Sequence, residues 1–502
     1  MTKIELYNHL SKTYNVVCFV DMALITKLPG SIFKLFNKHH KESFSPIERL
    51  ILYSSEQPSV KLLTHIQKAA SIIDISNDFI LICCPFDITN DLEKVGKNYK
   101  VDTPLQSQII DINSELVLND NFCIPDTICP QVWSHLEISN QGDISPCCVQ
   151  SSIVGNIIKD NVADVFYNDA MTTLRNDLLA GVKVPGCSAC WKTENIGHIS
   201  NRQRHLNLHA KEFYTEWIDN PGIHSLDIKP GNVCNFKCRI CSPVASSLHA
   251  SEGLTFETDP LSIIKIKNTI LNGKWSDDIR FVSQLEVLLP QLTNLDLYGG
   301  EPFLLKHLPI ILQKAIDLNV AKNIRLHFNS NGSVFPDKLI PLFKQFKEID
   351  IALSIDNIGG RFELERGGAW DEIEKNVVKF VALQQSNIRT YIFPTINIQN
   401  VLYFEELLDW ADHIGIEVTY NLLHSPEYLS INYMTDQAKQ LVINRFCNSK
   451  HTTLKTIANQ VDNSKGSNGE KFVWHMKEYD RRRSEDFQTT HKEIAHAMGY
   501  VL

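Results

Sequence analysis

Three cysteines, Cys234, Cys238 and Cys241, stand in a C-x-x-x-C-x-x-C run just beyond the strand-like stretch His224–Ile228. Three thiolates can hold three irons of a cubane cluster. Such a cluster ordinarily takes four protein thiolates, so the missing ligand leaves one iron for another molecule. Further on, Gly299-Gly300-Glu301-Pro302 follows a second strand. Two glycines let the backbone approach a ligand closely, the proline opens the next helix, and the carbonyls of such a turn can accept hydrogen bonds from an ammonium group. A plain strand-to-helix turn is the competing reading, and position favours the first. Asn329-Ser330-Asn331-Gly332 and Ser354-Ile355-Asp356-Asn357 follow two more strands and put polar groups on the same rim. Ser354 and Asp356 share strand parity, and a hydroxyl beside a carboxylate suits a ribose diol; an Asx turn is the alternative. Of Arg361 and Arg366, either could clamp a ligand carboxylate in a bidentate pair, or pair locally with Glu363 or Glu365.

A second cysteine set lies upstream. Cys129 opens Cys129-Pro130-Gln131-Val132-Trp133, Cys147 follows a hairpin-like turn at Asn140–Asp143, and Cys187 and Cys190 form a C-x-x-C pair. The four could converge on one site, and four thiolates suit zinc or an iron–sulfur cluster. On a regular strand Cys148 points away from Cys147, and Cys123 is a spare.

These residues need elements to hold them. Strand-like runs at His224–Ile228, Asn294–Tyr298, Ile324–Asn329, Ile349–Ile355, Arg389–Phe393 and Glu417–Tyr420 alternate with helical patterns such as Leu304–Leu318 and Asp371–Gln384. Such alternation implies an α/β fold with a parallel sheet, either a barrel or doubly wound, and in both ligands gather beyond the carboxyl ends of the strands. The long connection before Asn294 holds extra helical material over Pro260–Leu289. Four regions follow: a small α/β unit over 1–115, a cysteine-rich unit over 116–205, the strand–helix repeat over 206–430 and a mostly helical extension over 431–502. The first carries strands at Val16–Val20, Arg49–Tyr53 and Phe79–Cys84, a helix after Pro58, and no catalytic constellation. The second carries a helix over Asp164–Ala180, ended by Gly181. In the last, Asn459–Glu470 reads as a loop and Arg481–Arg483 as a solvated helix face.

With 43% hydrophobic and 21% charged residues among 502, the composition is that of a soluble globular protein. A net charge of −9 argues against a general nucleic-acid surface. The first residues lack signal-peptide order and no apolar run reaches membrane length, so the expected location is cytoplasmic. Thirteen cysteines in a reducing compartment are not a disulfide framework, and the nine from Cys123 to Cys241 favour metal ligation. Cys18, Cys83, Cys84 and Cys447 read as buried small hydrophobes.

On its C-x-x-x-C-x-x-C loop after the first strand and Gly-Gly-Glu-Pro after the second, the third region resembles the radical S-adenosylmethionine (SAM) superfamily. Ile240 stands where that family commonly has an aromatic residue. The resemblance implies a partial (β/α)6 TIM-like barrel and a 4Fe-4S cluster on Cys234, Cys238 and Cys241, with SAM at the open iron. Gly299, Gly300 and Glu301 would meet the SAM ammonium, and Ser354 and Asp356 its ribose. Pro302, Asn331 and Arg366 complete the expected cofactor-binding set. The preceding region resembles a SPASM or Twitch domain in its Cys-Pro-x-x-Trp, in Gly142 with Cys147 five positions on, in Gly155-Asn156-Ile157 and in its closing C-x-x-C. That implies one auxiliary iron–sulfur cluster, taken as 4Fe-4S, on Cys129, Cys147, Cys187 and Cys190, in a domain placed before the barrel rather than after it.

The expected function is reductive cleavage of SAM to a 5′-deoxyadenosyl radical that abstracts hydrogen from a substrate. The expected substrate is a peptide or protein side chain, with Asn331, Asn397, Asn421 and His424 as strand-end contacts, residues 1–115 as a recognition module, and a flavodoxin or ferredoxin as reductant. Radical modification of a small molecule such as a sugar is the alternative within the family. A zinc-stapled binding protein is the alternative outside it. No residue is assigned as hydrogen donor, acid or base.

Overall fold

The computed structural model describes residues 16–21, 49–54, 79–83, 108–111, 126–195 and 197–500. They fall into two compact units, one drawn from 1–134, 149–152 and 168–222, the other from 135–148, 153–167 and 223–502.

In the first unit, β1 (Val16–Asp21), β2 (Arg49–Ser54), β3 (Phe79–Cys83) and β4 (Gln108–Asp111) form a parallel sheet in the order β3-β2-β1-β4. Three of these are the expected strands; β4 is an addition. The helix expected after Pro58, and Cys84 and Cys123, lie outside the described residues. The helix expected over Asp164–Ala180 is instead two, Val162–Phe166 in the second unit and α1 (Asp169–Leu179) in the first, because two asparagines each start one. Asn161 accepts the Ala163 N–H and Asn168 the Met171 N–H, the competition for backbone donors that makes asparagine a good cap and a poor helix interior. Gly181, at φ 81°, closes α1 as expected. α2 (Ser188–Asn195) and α3 (Asn201–Glu212) follow.

The second unit is built on a sheet of nine strands. In sequence these are β5 (His135–Ile138), β6 (Asp143–Ser145), β7 (Gly155–Asn156), β8 (Ser225–Ile228), β9 (Asn294–Leu297), β10 (Arg325–Ser330), β11 (Glu348–Leu353), β12 (Ile388–Ile392) and, after the short β13 (Thr395–Ile396), β14 (Glu417–Val418). The order is β14-β12-β11-β10-β9-β8-β5-β6-β7. From β8 to β14 neighbours are parallel and consecutive among the sheet's strands, which decides between the two expected architectures. Right-handed crossovers between successive strands put every helix on one face, as in a curled barrel, whereas a doubly wound sheet reverses its order. The expected sixth strand, Glu417–Tyr420, is cut short: β15 (Asn421–Leu422) leaves the sheet to pair with β13.

β5 pairs in parallel with β8, His135 opposite Ser225 through Ile138 opposite Ile228. The hairpin β5–β6, turning at Gly142 with φ 83°, therefore extends the sheet, and the division into units runs through the 116–205 region. Ser134 is not part of the strand: Gln131–Ser134 is a helical turn, closed by a bond from Ser134 Oγ to the Pro130 carbonyl at 3.0 Å.

On the helix side, Leu226, Leu295, Leu326 and Ile351 are essentially inaccessible and form the core with α4 (Leu308–Asp317) and α5 (Trp370–Leu383) among others. The extension is helical, and the expected loop is shorter, since a helix continues over Thr452–Asp462. Cys447 is exposed rather than buried. Arg483 is 1% exposed and pairs with Glu252, so the arginine run is a solvated face only at Arg481 and Arg482, which pair with Glu478. Among the described residues no helix is long and apolar enough to cross a membrane.

Candidate active site

The cysteine loop leaves β8 at the carboxyl edge of the sheet, and the Gly-Gly-Glu turn leaves β9 beside it. The two are joined through backbone: the Glu301 N–H donates to the Val233 carbonyl at 2.8 Å. This contact gives the second glycine its reason. Gly300 sits at φ 63°, and a Cβ there would lie 2.4 Å from the Val233 oxygen. Gly299, at φ 92°, would strike Lys229 Cβ at 2.8 Å. The glycines read from sequence as room for a ligand are, first of all, room for the cysteine loop.

Glu301 is buried, and its carboxylate accepts from the Ser330 hydroxyl at 2.9 Å, the Asn331 N–H at 2.7 Å and the Phe303 N–H at 3.2 Å. Burial pushes the Glu301 carboxyl up to about 7 against the pull of those donors. Asn331, so fixed, points its Nδ2 at Cys234 Sγ, 3.8 Å away, and at Asn235 Oδ1, 3.0 Å away.

Arg366 approaches the second cysteine, with Nη1 3.8 Å from Cys238 Sγ, while its Nε donates to Asp356 Oδ2 at 2.8 Å. The other Asp356 oxygen receives the Thr395 N–H at 2.8 Å. The parity argument for Ser354 and Asp356 does not carry through, because β11 ends at Leu353 and the Ile355 N–H turns back to the Leu353 carbonyl at 2.9 Å. Ser354 is half-buried and Asp356 is 2% exposed, with lone pairs left on a carboxylate that already has two donors. Arg361 pairs with neither Glu363 nor Glu365. It bonds Glu406 and Asn357 Oδ1 and lies over the Tyr403 ring. Asn397 is fully buried in its own loop, its side chain bonded to the Thr395 carbonyl and the Gln399 N–H, whereas Asn421 is exposed.

The thiols themselves are costly to ionise. Burial pushes Cys238 up to about 12, Arg366 opposes that, and Cys241 and Cys234 add to it; burial also raises Cys234 and Cys241. Three thiolates in a dry site need a compensating cation. Among the described residues, Asp409, Asp412 and His451 bring three possible ligand atoms within 4.8 Å of one another, but both aspartates are exposed and Asp409 is already paired with Lys450 and His451. The donor set of Cys234, Cys238 and Cys241 fits a multi-iron cluster.

In the first unit, Cys187 and Cys190 lie close enough to Cys129 to raise its thiol. Cys129 is pushed up to about 12 by burial first, then by Cys187 and Cys190, while Arg202 opposes. Arg202 ties the pieces together, donating to the Ile128 carbonyl at 2.8 Å and forking onto Glu194 of α2 at 3.0 and 2.7 Å. Cys147 belongs to the second unit, where it is buried and Cys148 exposed.

One feature of the sheet was missed from sequence. Glu137, Asp227, Asp296, His327, Asp350 and Arg389 lie in register across β5, β8, β9, β10, β11 and β12, on the face away from the helices. Lys229 pairs with Glu137, Arg325 with Asp350, and the Tyr298 hydroxyl donates to Asp227 at 2.6 Å. Burial, then Asp227, pushes Asp296 up to about 7. The signal was present: Ser-Leu-Asp-Ile, Asn-Leu-Asp-Leu, Arg-Leu-His-Phe and Glu-Ile-Asp-Ile repeat one polar–apolar pattern in four strands.

Residues 228–411 match the model of the radical SAM superfamily. The chain carries a radical SAM domain. Residues 129–191 match SPASM, an iron–sulfur cluster-binding domain, placed before it. The cofactors are accordingly a 4Fe-4S cluster and SAM, with an auxiliary iron–sulfur cluster in the SPASM domain. No curated protein matches the sequence. Among solved structures, Streptococcus suis SuiB is similar over 59% of this chain and 63% of its own, at 15% identity and a TM-score of 0.32. Its SAM-bound form is similar over 62% and 65%, at 13% identity and a TM-score of 0.30. This chain thus spans under two thirds of the length of each.

Proposed function

We propose that this protein is a radical SAM enzyme that abstracts hydrogen from a peptide or protein side chain. The observation that carries the reading is the bond from the Glu301 N–H to the Val233 carbonyl, which seats the Gly-Gly-Glu turn against the residue before Cys234. Cys234, Cys238 and Cys241 hold the 4Fe-4S cluster. When bound, that cluster supplies the electron that cleaves SAM to methionine and the 5′-deoxyadenosyl radical.

The chain's own work is positioning and exclusion of water. Gly299 and Gly300 present carbonyls to the SAM ammonium. Glu301 fixes Asn331, and Asn331 steadies Cys234. Arg366 places a fixed cation on Cys238, and Asp356, held by Arg366 and Thr395, offers its remaining lone pairs to the ribose beside Ser354. Cys129, Cys187 and Cys190 hold the auxiliary cluster. When bound there, it would supply an electron relay or a point of attachment for substrate. A flavodoxin or ferredoxin serves as reductant, and residues 1–115 recognise the substrate.

The test is anaerobic reconstitution, with iron, acid-labile sulfide and the visible spectrum measured before dithionite and SAM are added. The expected product is 5′-deoxyadenosine; a zinc-only protein that forms none would overturn the reading. Full turnover on a substrate after deletion of residues 1–115 would remove the recognition role.

A further inference from the structure

Residues 470–500 lie outside both family matches, and nothing so far gives them a task. They run against the cysteine loop. The loop has no helix or strand of its own over 234–241, and a bond from the Cys241 N–H to the Cys238 carbonyl, 3.0 Å, is its one internal backbone contact among those described. Its geometry has to be imposed from outside.

Of the two residues between the second and third cysteines, Arg239 directly follows Cys238, and its side chain is 0% exposed. Its Nη2 reaches Asp480 Oδ1 at 2.5 Å and Glu485 Oε2 at 2.6 Å, both beyond the matched domain. A guanidinium is permanently charged and forked, so it can stay buried where it meets carboxylates in this way. Asp480 is held in turn: its second oxygen receives the Phe487 N–H at 2.9 Å and the Tyr500 hydroxyl at 2.6 Å. On the other side of Cys238, Lys237 pairs with Glu252 at 2.7 Å, and Arg483, at the end of α6 (Glu470–Arg483), grips the same carboxylate at 3.0 and 2.7 Å. The Arg239 N–H donates to the Glu365 carbonyl at 2.7 Å, and the Glu365 carboxylate takes the buried His491 at 2.7 Å. Three separate ties therefore join the two neighbours of Cys238 to the end of the chain.

We propose that residues 470–500 are a lock that holds the cysteine loop in the shape that retains the SAM cluster, with Arg239 as its positioning residue. The lock rests on the reading of Cys234, Cys238 and Cys241 as that cluster's thiolates. It acts through loop geometry and touches no reacting atom.

The experiment uses the full chain, reconstituted anaerobically as wild type, as Arg239→Gln and as Asp480→Asn/Glu485→Gln. The two variants break one contact from opposite ends, so a folding failure of either leaves the other to decide. Electron paramagnetic resonance of the reduced protein separates the clusters, because SAM binds an open iron and alters the signal of that cluster alone. Under an iron chelator, the SAM-responsive signal is expected to decay about tenfold or more faster in each variant, as for lost supporting contacts around a metal site. The auxiliary signal should keep its wild-type decay and so reports intact fold. Loss of the SAM-responsive signal at the wild-type rate overturns the lock. Loss of both signals in step, with a lowered unfolding midpoint, makes the contact a general fold element and also overturns it. If wild type shows no SAM-responsive signal, the functional reading fails and the lock with it.

Discussion

The Glu301 carboxylate accepts the Asn331 backbone N–H at 2.7 Å, and the Asn331 side chain reaches 3.8 Å from Cys234 Sγ. The motif after β9 therefore acts on the cysteine loop through the loop after β10. Replacing the carboxylate by an amide turns one acceptor into a donor facing donors. Glu301→Gln should destabilise the apoprotein by about 1–3 kcal/mol, the cost of leaving buried groups unsatisfied. Urea denaturation at neutral pH measures it, and an unchanged midpoint would show that the three donors are not essential.

Gly300→Ala should be worse than its size suggests. The added carbon meets the Val233 oxygen at 2.4 Å, at a φ of 63°. Backbone strain of that kind costs about 1–3 kcal/mol, before any effect on cluster content. Gly360→Ala, near the start of the helix Gly359–Arg366 with nothing within 4 Å, is the control and should be near neutral. Equal denaturation midpoints for the two variants would contradict the steric account.

Asp296 makes stability depend on pH in a defined direction. Its folded pKa is raised, from 3.8 to about 7, so between those values the folded state binds more protons than the unfolded. Stability from this group is then present at the acid end and is lost as pH rises through about 7. The loss is on the order of 2–4 kcal/mol at most, at 1.36 kcal/mol per unit. Asp296→Asn should flatten the profile between 3.8 and about 7, the span of the shift. Thermal unfolding across that range checks it, and a parallel profile in the variant would place the proton elsewhere.

The two cysteine sets should separate in a metal assay. Substituting Cys234, Cys238 and Cys241 by Ala should abolish SAM cleavage. Substituting Cys129 and Cys190 should lower iron while leaving SAM cleavage without substrate. Loss of cleavage in both cases would mean that the auxiliary cysteines are required for the SAM site itself.

Much of this architecture was legible locally. The strand–helix alternation, the cysteine spacing, the Gly-Gly-Glu-Pro turn and the helix end at Gly181 all depend on residues close in sequence. Two local readings fail for different reasons: Arg483 reads as solvated because its partner Glu252 is distant in the chain, and Ser354 with Asp356 reads as one strand face because the strand ends early. The in-register row from Glu137 to Arg389 needed the strand order before its repeated pattern meant anything.

By itself, then, the sequence determined the chemistry available: which thiols, which glycines and which polar residues stand at strand ends, since residue type and short-range spacing decide what a loop can ligate. Tertiary structure alone decided what holds those loops. Backbone and charged groups out of water must find partners wherever the fold supplies them, so Gly300 answers to Val233, Arg366 to Cys238, and Arg239 to carboxylates more than two hundred residues away.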